Sequence, residues 1–425
     1  MKNGYQKITL ANGLRLVMHH MPGRQSLSLG IWIKTGGRYE EKSNKGIAHF
    51  LEHLLFKGTS KYSCRDLKES IEGVGGVLNG FTSEELTCYL VKIPCGYLNK
   101  ALDILTEMVM HPQLPADEIE KERAVILEEL KMYRDLPQSY CLELLDELLS
   151  PGQPLGEPII GTVESVNSIG RKALTSFRKK YYTASNIVVS AAGEFDSKKL
   201  AQLTDKTFLR MPLRAQNVFT GALDAQSGPR LKILRKKTEQ THMALGFKGF
   251  KRGHPLKYAL GLLHIVLCAN MSSRLFNELR EKRGLAYEIG TAVKRFHDTG
   301  AFLVHAGIDN RKVLDALSRI LKELSRIKRN LVTEGEFKLA KEFYIGQLKL
   351  GLEDTMEHML WIGETLATME KVYSLDEIIR EVSGVSREDL LKVACELFSE
   401  DKLSLSLIGP VKETQDKFLR TLSFS

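Results

Sequence analysis

Leu27-Ser28-Leu29-Gly30-Ile31 returns about 216 positions later as His242-Met243-Ala244-Leu245-Gly246-Phe247. Each is a short apolar run around a central glycine, and each reads as a buried strand. Working outward, the neighbours of the two runs follow one order. The first sits in a strand over Ser26–Ile33, after a hairpin in which Ala11-Asn12-Gly13 joins Lys7–Leu10 to Leu14–Met18. Asn-Gly between alternating apolar runs is a strong hairpin signal. A helix over Ile47–Phe56 follows the first run, and an apolar helix over Pro255–Cys268 follows the second. Leu90-Val91 is matched by Leu303-Val304, and Leu102-Asp103-Ile104-Leu105 by Leu314-Asp315-Ala316-Leu317. The long helix Glu118–Arg134, continued helically over Pro137–Leu149, is matched by Glu334–Leu350. A repeat of this length is no solenoid unit but a duplicated domain. Hairpins mixed with long helices predict an α+β fold of two similar domains, each an antiparallel sheet packed with helices. The expected division is 1–213, a linker at 214–229 that contains Gly221, Ser227 and Gly228, and 230–425.

Composition narrows the class. A length of 425 residues and an apolar share of 43% fit two or three globular domains and exclude wholesale disorder. No window is apolar enough for a membrane span, and Met1–Leu16 has no apolar core of a secretory signal. The six cysteines form no CxxC pair. They read as reduced thiols, so a cytoplasmic location is expected. The net charge of +9 suggests an anionic partner. Its distribution does not: basic residues alternate with acidic ones, as in Arg280-Glu281-Lys282-Arg283. The cluster Lys322, Arg326, Lys328 and Arg329 lies on the solvated face of an amphipathic helix. No nucleic-acid partner is expected.

The chemistry lies in His49-Phe50-Leu51-Glu52-His53. Imidazoles four residues apart project from one face of a helix and can share a zinc ion. Glu52 sits beside them, placed to take the proton of a zinc-bound water. The order is HxxEH, the inverse of HExxH. Zinc needs a third protein ligand. The long helix around Val125–Leu130 is a natural source, and its Glu122 and Glu129 share one face two turns apart. The flanks Gly46-Ile47-Ala48 and Leu54 to Thr59 leave the rest of the short helix apolar, so two histidines and a glutamate there need a polar partner or a metal. At an offset of 215, His49 falls on His264, but Glu52 falls on Leu267 and His53 on Cys268. At 216, Glu129 falls on Ile345. One Zn2+ per chain is expected, in the first half.

The whole stretch, Gly46-Ile47-Ala48-His49-Phe50-Leu51-Glu52-His53-Leu54-Leu55-Phe56-Lys57-Gly58-Thr59, resembles the active-site signature of the pitrilysin/insulinase family of zinc metallopeptidases. The resemblance is closest to the half-length branch, which includes the mitochondrial processing peptidase catalytic subunit and bacterial homologues. In that family the third ligand is a glutamate about 76 residues after the second histidine, here Glu129, with Glu128 as its neighbouring competitor. The resemblance implies His49, His53 and Glu129 on zinc, Glu52 as general base and Glu122 in support. Gly75-Gly76-Val77-Leu78-Asn79-Gly80-Phe81-Thr82 resembles the family's edge strand, on which peptides add as an extra strand, so Asn79, Gly80, Phe81 and Thr82 are implied to bind substrate. The family usually has Ala at the position of Gly80. Ser272 to Tyr287 resembles the second signature, whose Arg and Tyr, here Arg280 and Tyr287, reach the metal site of a facing domain as hydrogen-bond donors.

The resemblance therefore implies a zinc endopeptidase acting on short or unfolded peptides inside an enclosed chamber. Carrying both signatures on one chain favours a homodimer; a heterodimer with a metal-less paralogue is the other family arrangement. The rival reading is a structural or assembly subunit of the same fold. In such proteins the metal set is degraded, whereas His49, Glu52, His53, Glu122 and Glu129 are all present here.

Overall fold

The computed structural model describes residues 4–213 and 219–424. The expected linker thus lies partly, at 214–218, outside the described residues; the rest of it forms neither helix nor strand. Six strands make the first sheet: β1 (Tyr5–Thr9), β2 (Arg15–His20), β3 (Ser26–Ile33), β4 (Val77–Thr82), β5 (Thr87–Pro94) and β6 (Ile187–Gly193), in the order β1-β2-β6-β3-β5-β4. Five make the second: β7 (Arg230–Arg235), β8 (Gln240–Gly249), β9 (Ala286–Arg295), β10 (Gly300–Asp309) and β11 (Leu403–Gly409), in the order β7-β11-β8-β10-β9. Each sheet is antiparallel except for one parallel pair, β2 with β6 and β7 with β11. β6 and β11 come after long helical excursions, which allow the return in the same direction. The β1–β2 turn holds Gly13 at φ +83°, and Leu14 N–H donates to the Asn12 side chain at 3.2 Å.

The register shows the duplication directly. Gly30 on β3 stands opposite Leu90 on β5 and Ser190 on β6. Gly246 on β8 stands opposite Leu303 on β10 and Ser404 on β11. β3 and β8 are central strands with both faces covered, so they read as apolar runs rather than alternating ones.

The chain forms two compact units, and these do not follow chain order. Unit 1 takes Met1–Leu130, Pro158–Thr220 and Lys349–Leu375; unit 2 takes Lys131–Glu157, Gly221–Leu348 and Asp376–Ser425. In unit 1, Leu27, Leu29, Ile31 and Ile33 of β3 pack in a core with Ile47, Phe50 and Leu51 of one helix and Ile104, Leu105 and Met108 of another. The opposite face, through Trp32, Cys88 and Val188, meets Met359, Ile362 and Leu366 of the helix Thr355–Met369. Here the helix touches the sheet closely: a Cβ on Gly363 would lie 2.1 Å from Trp32 Nε1. In unit 2, Ala244, Leu303 and Ile408 meet Cys141, Leu145 and Leu149 of the helix Pro137–Leu149, while Phe247 and Phe302 pack edge-on against Phe398. Each sheet is therefore covered by one helix from the other half of the sequence. Among the described residues no helix is long and apolar enough to cross a membrane.

Candidate metal centre

The helix Ile47–Leu55 follows Gly46 at φ +92°, and a Cβ there would lie 2.5 Å from Ile160 O, so only glycine fits the entry. Ile47, Phe50, Leu51, Leu54 and Leu55 are buried, which seats the helix in the unit 1 core and leaves His49, Glu52 and His53 on its remaining face. The helix Ala116–Asp135 brings Glu122 and Glu129 to the same place.

His49, His53 and Glu129 each offer a ligand atom, and these atoms all lie within 4.8 Å of one another. Glu129 Oε2 is 3.8 Å from His49 Nε2 and 3.7 Å from His53 Nε2. Both separations are too long for hydrogen bonds. A carboxylate and two ring nitrogens facing one another without hydrogen bonds suit a shared cation, and zinc bonds of about 2.0–2.2 Å span such spacings after a small closure. Glu128, the neighbour considered from sequence, is not part of this cluster. His53 Nδ1–H donates to Glu122 Oε2 at 3.1 Å, which leaves the Nε2 lone pair for a metal. Glu122 is itself buried and paired with Lys57. Lys57 was not singled out from sequence; its place four residues after His53, one turn along, was the available signal.

Burial sets the protonation states. It pushes the His49 imidazole down to about 3, helped by nearby His53, so His49 is neutral as a metal ligand must be. Burial pushes the Glu52 carboxyl up to about 7, with His53 opposing and Glu129 adding to the rise. That range suits a group that takes and returns a proton near neutral pH. Glu52 lies against β4: a Cβ on Gly80 would stand 3.0 Å from Glu52 Oε1 and 3.1 Å from the Phe56 ring.

β4 is the edge strand of the first sheet, paired with β5 alone, and its residues alternate exposed and half-buried. Gly80 N–H donates to Asn79 Oδ1 at 2.8 Å, and Phe81 is partly exposed with its ring edge-on to Trp32. The Thr82 hydroxyl is buried without a partner. In unit 2, Arg280 and Tyr287 are exposed and adjacent, the guanidinium carbon 5.3 Å from the phenol ring. Residues Phe276–Glu281, which carry Arg280, form a π-helical turn, a local widening common at functional sites. His264 hydrogen-bonds Thr291 Oγ1 through Nδ1 at 2.7 Å, and among the described residues no metal-ligating cluster occurs in unit 2.

Comparison with known proteins finds two family matches along the chain. Residues 15–163 match the family described as insulinase (peptidase family M16), and residues 168–344 match the peptidase M16 inactive domain. An uncharacterized zinc protease of Bacillus subtilis, YmxG, is 37% identical over 406 residues, covering 95% of this chain and 98% of its own. An uncharacterized zinc protease of Mycobacterium tuberculosis, Rv2782c, is 35% identical over 408 residues, covering 95% and 93%. The crystal structure of a protease from Helicobacter pylori superposes with a TM-score of 0.90 at 25% identity, covering 96% of this chain and all of that one.

Proposed function

Since the chain belongs to the insulinase (M16) family of zinc peptidases, we propose that it is a zinc endopeptidase that cleaves short or unfolded peptides bound along β4. The observation that carries this reading is the convergence of His49, His53 and Glu129 on one point, with buried Glu52 between that point and Gly80 of the edge strand. His49, His53 and Glu129 hold the metal. When bound, zinc polarises a water and the scissile carbonyl. Glu52 takes the proton of the attacking water and gives it to the leaving amine. Glu122 holds His53 in the tautomer that presents Nε2. A peptide laid along β4 uses the free main-chain groups of the edge, displacing the Asn79 side chain from Gly80 N–H, so main-chain pairing supplies affinity for many sequences. Arg280 and Tyr287 are exposed donors on unit 2, and the resemblance of their segment supports a role in holding substrate. The homodimer belongs to the same proposal; its mass in solution tests it.

Glu52→Gln is the direct test. It keeps the shape of the side chain and removes the base. The variant is expected to retain one zinc per chain and to lose at least about a hundredfold in turnover of a quenched peptide. Retained zinc with wild-type turnover would refute the assignment.

A further inference from the structure

The helix Ile47–Leu55 has no cap of its own: Gly46 precedes it and offers no side chain to its first N–H groups. Glu40, six residues upstream, takes that role. Its Oε2 accepts from Gly46 N–H at 2.9 Å and its Oε1 from Ala48 N–H at 2.8 Å. The carboxylate is fully enclosed, with Lys45 Nζ 3.5 Å away, and that ammonium donates to Gly37 O at 2.6 Å. The segment carrying Glu40 is anchored independently at its other end. Gly37 N–H and Arg38 N–H donate to Ser83 O and Glu84 O at 3.1 and 2.7 Å, in the turn that follows β4. Arg38 is also paired at 2.7 Å with buried Glu85. Gly36 fits there because a Cβ would lie 2.0 Å from Ser83 O.

Both oxygens of one carboxylate on two helix N–H groups make a charge-assisted contact that fixes direction as well as distance. Enclosing a carboxylate and an ammonium is a poor way to gain stability compared with apolar packing. The pair does, however, fix the start of a nine-residue helix whose third residue is His49. A tilt at Ala48 is passed at once to His49 and, one turn on, to Glu52 and His53.

We propose that Glu40 is a positioning residue of the metal centre. By joining the backbone N–H groups of Gly46 and Ala48, it sets the pose of the helix that presents His49, Glu52 and His53. It touches neither metal nor substrate and acts through the helix. The inference rests on the zinc reading above.

The test titrates the zinc-free full-length chain with zinc against a competing chelator and records the visible spectrum of the cobalt-loaded form. Glu40→Gln puts an NH2 where one helix N–H needs an acceptor. It is expected to weaken zinc binding about tenfold or more and to shift the cobalt bands. Glu85→Gln breaks an equally buried ion pair on the same segment. It is expected to lower the melting temperature while zinc affinity stays within about twofold. Where Glu40→Gln does not fold because Lys45 is left without its carboxylate, Glu40→Gln combined with Lys45→Met is measured in its place, with the same expectation. Zinc affinity unchanged in the Glu40 variant, or weakened equally in both variants, would overturn the inference. A wild-type chain that takes up no zinc would instead overturn the metal reading itself.

Discussion

The helices Ile47–Leu55 and Lys257–Cys268 occupy corresponding places in the duplicated halves, yet among the described residues only the first takes part in a cluster that could hold a metal. In the first, His49 and His53 face Glu129, with Glu52 buried beside them. In the second, the positions of Glu52 and His53 hold Leu267 and Cys268, both buried, and His264 is satisfied by Thr291. The stretch that matches the M16 inactive domain, residues 168–344, includes the second helix and not the first. A duplicated helix keeps its packing face when its polar face changes, because the apolar stripe alone seats it on the sheet. The imidazole shared by both is therefore informative only with its surroundings. Beside a second histidine and two glutamates it is the proposed metal ligand; beside a threonine hydroxyl it is a half-buried, hydrogen-bonded side chain.

The largest effect is expected where the contrast is broken from the first half. His53→Ala removes one of the three proposed ligands and one of the partners of Glu122. Bound zinc, measured by elemental analysis after dialysis, is expected to fall from one per chain to near zero, and peptidase activity with it. A chelator should do the same to the wild type. Zinc persisting at one per chain in His53→Ala would show that the metal sits elsewhere, and the asymmetry between the halves would fail.

The contrast also shows what was legible in the sequence. Gly30 and Gly246 mark equivalent points of the two central strands, and the sequence repeat alone matches their partners Leu90 and Leu303. HxxEH identified its own geometry because i and i+4 share a helix face. The exchange of the helices Pro137–Leu149 and Thr355–Met369 between units was not legible. An amphipathic pattern tells that a helix needs an apolar partner but not which one, and two duplicated sheets offer nearly the same surface twice. The Glu40 contacts were hidden for a related reason: a carboxylate that caps a helix from six residues upstream does not fit the spacing of a local capping box.

A smaller effect sharpens the reading of His264. Burial, with Arg295 nearby, pushes its pKa down from the ordinary 6.5 to about 4. The unfolded chain therefore takes up the proton first as pH falls. Stability should decline from about pH 6.5 to about pH 4, by on the order of 2–3 kcal/mol from this group. His264→Gln can keep a hydrogen bond to Thr291 and cannot titrate. Its denaturant midpoint, followed across that window, is expected to fall less steeply than that of the wild type. Parallel pH profiles would mean that burial does not hold the His264 pKa below its value in the unfolded chain.

The smallest effects separate the two exchanged helices. In unit 1 a Cβ on Gly363 would strike the Trp32 indole at 2.1 Å and Ser190 Oγ at 2.6 Å, and the indole is fixed by its hydrogen bond to Ser190 at 2.8 Å. In unit 2 a Cβ on Gly246 would first meet the ends of Leu145 and Leu149, at 3.0 and 3.1 Å. Rigid neighbours force the helix to move, whereas leucine methyl groups give way by changing rotamer. Gly363→Ala is expected to cost about 1–3 kcal/mol in equilibrium unfolding, and Gly246→Ala less than about 1 kcal/mol. Equal losses would mean that the two helices are seated with the same tolerance. The expected difference would instead show that the helix over the first sheet is held by a more closely fitted contact than its counterpart.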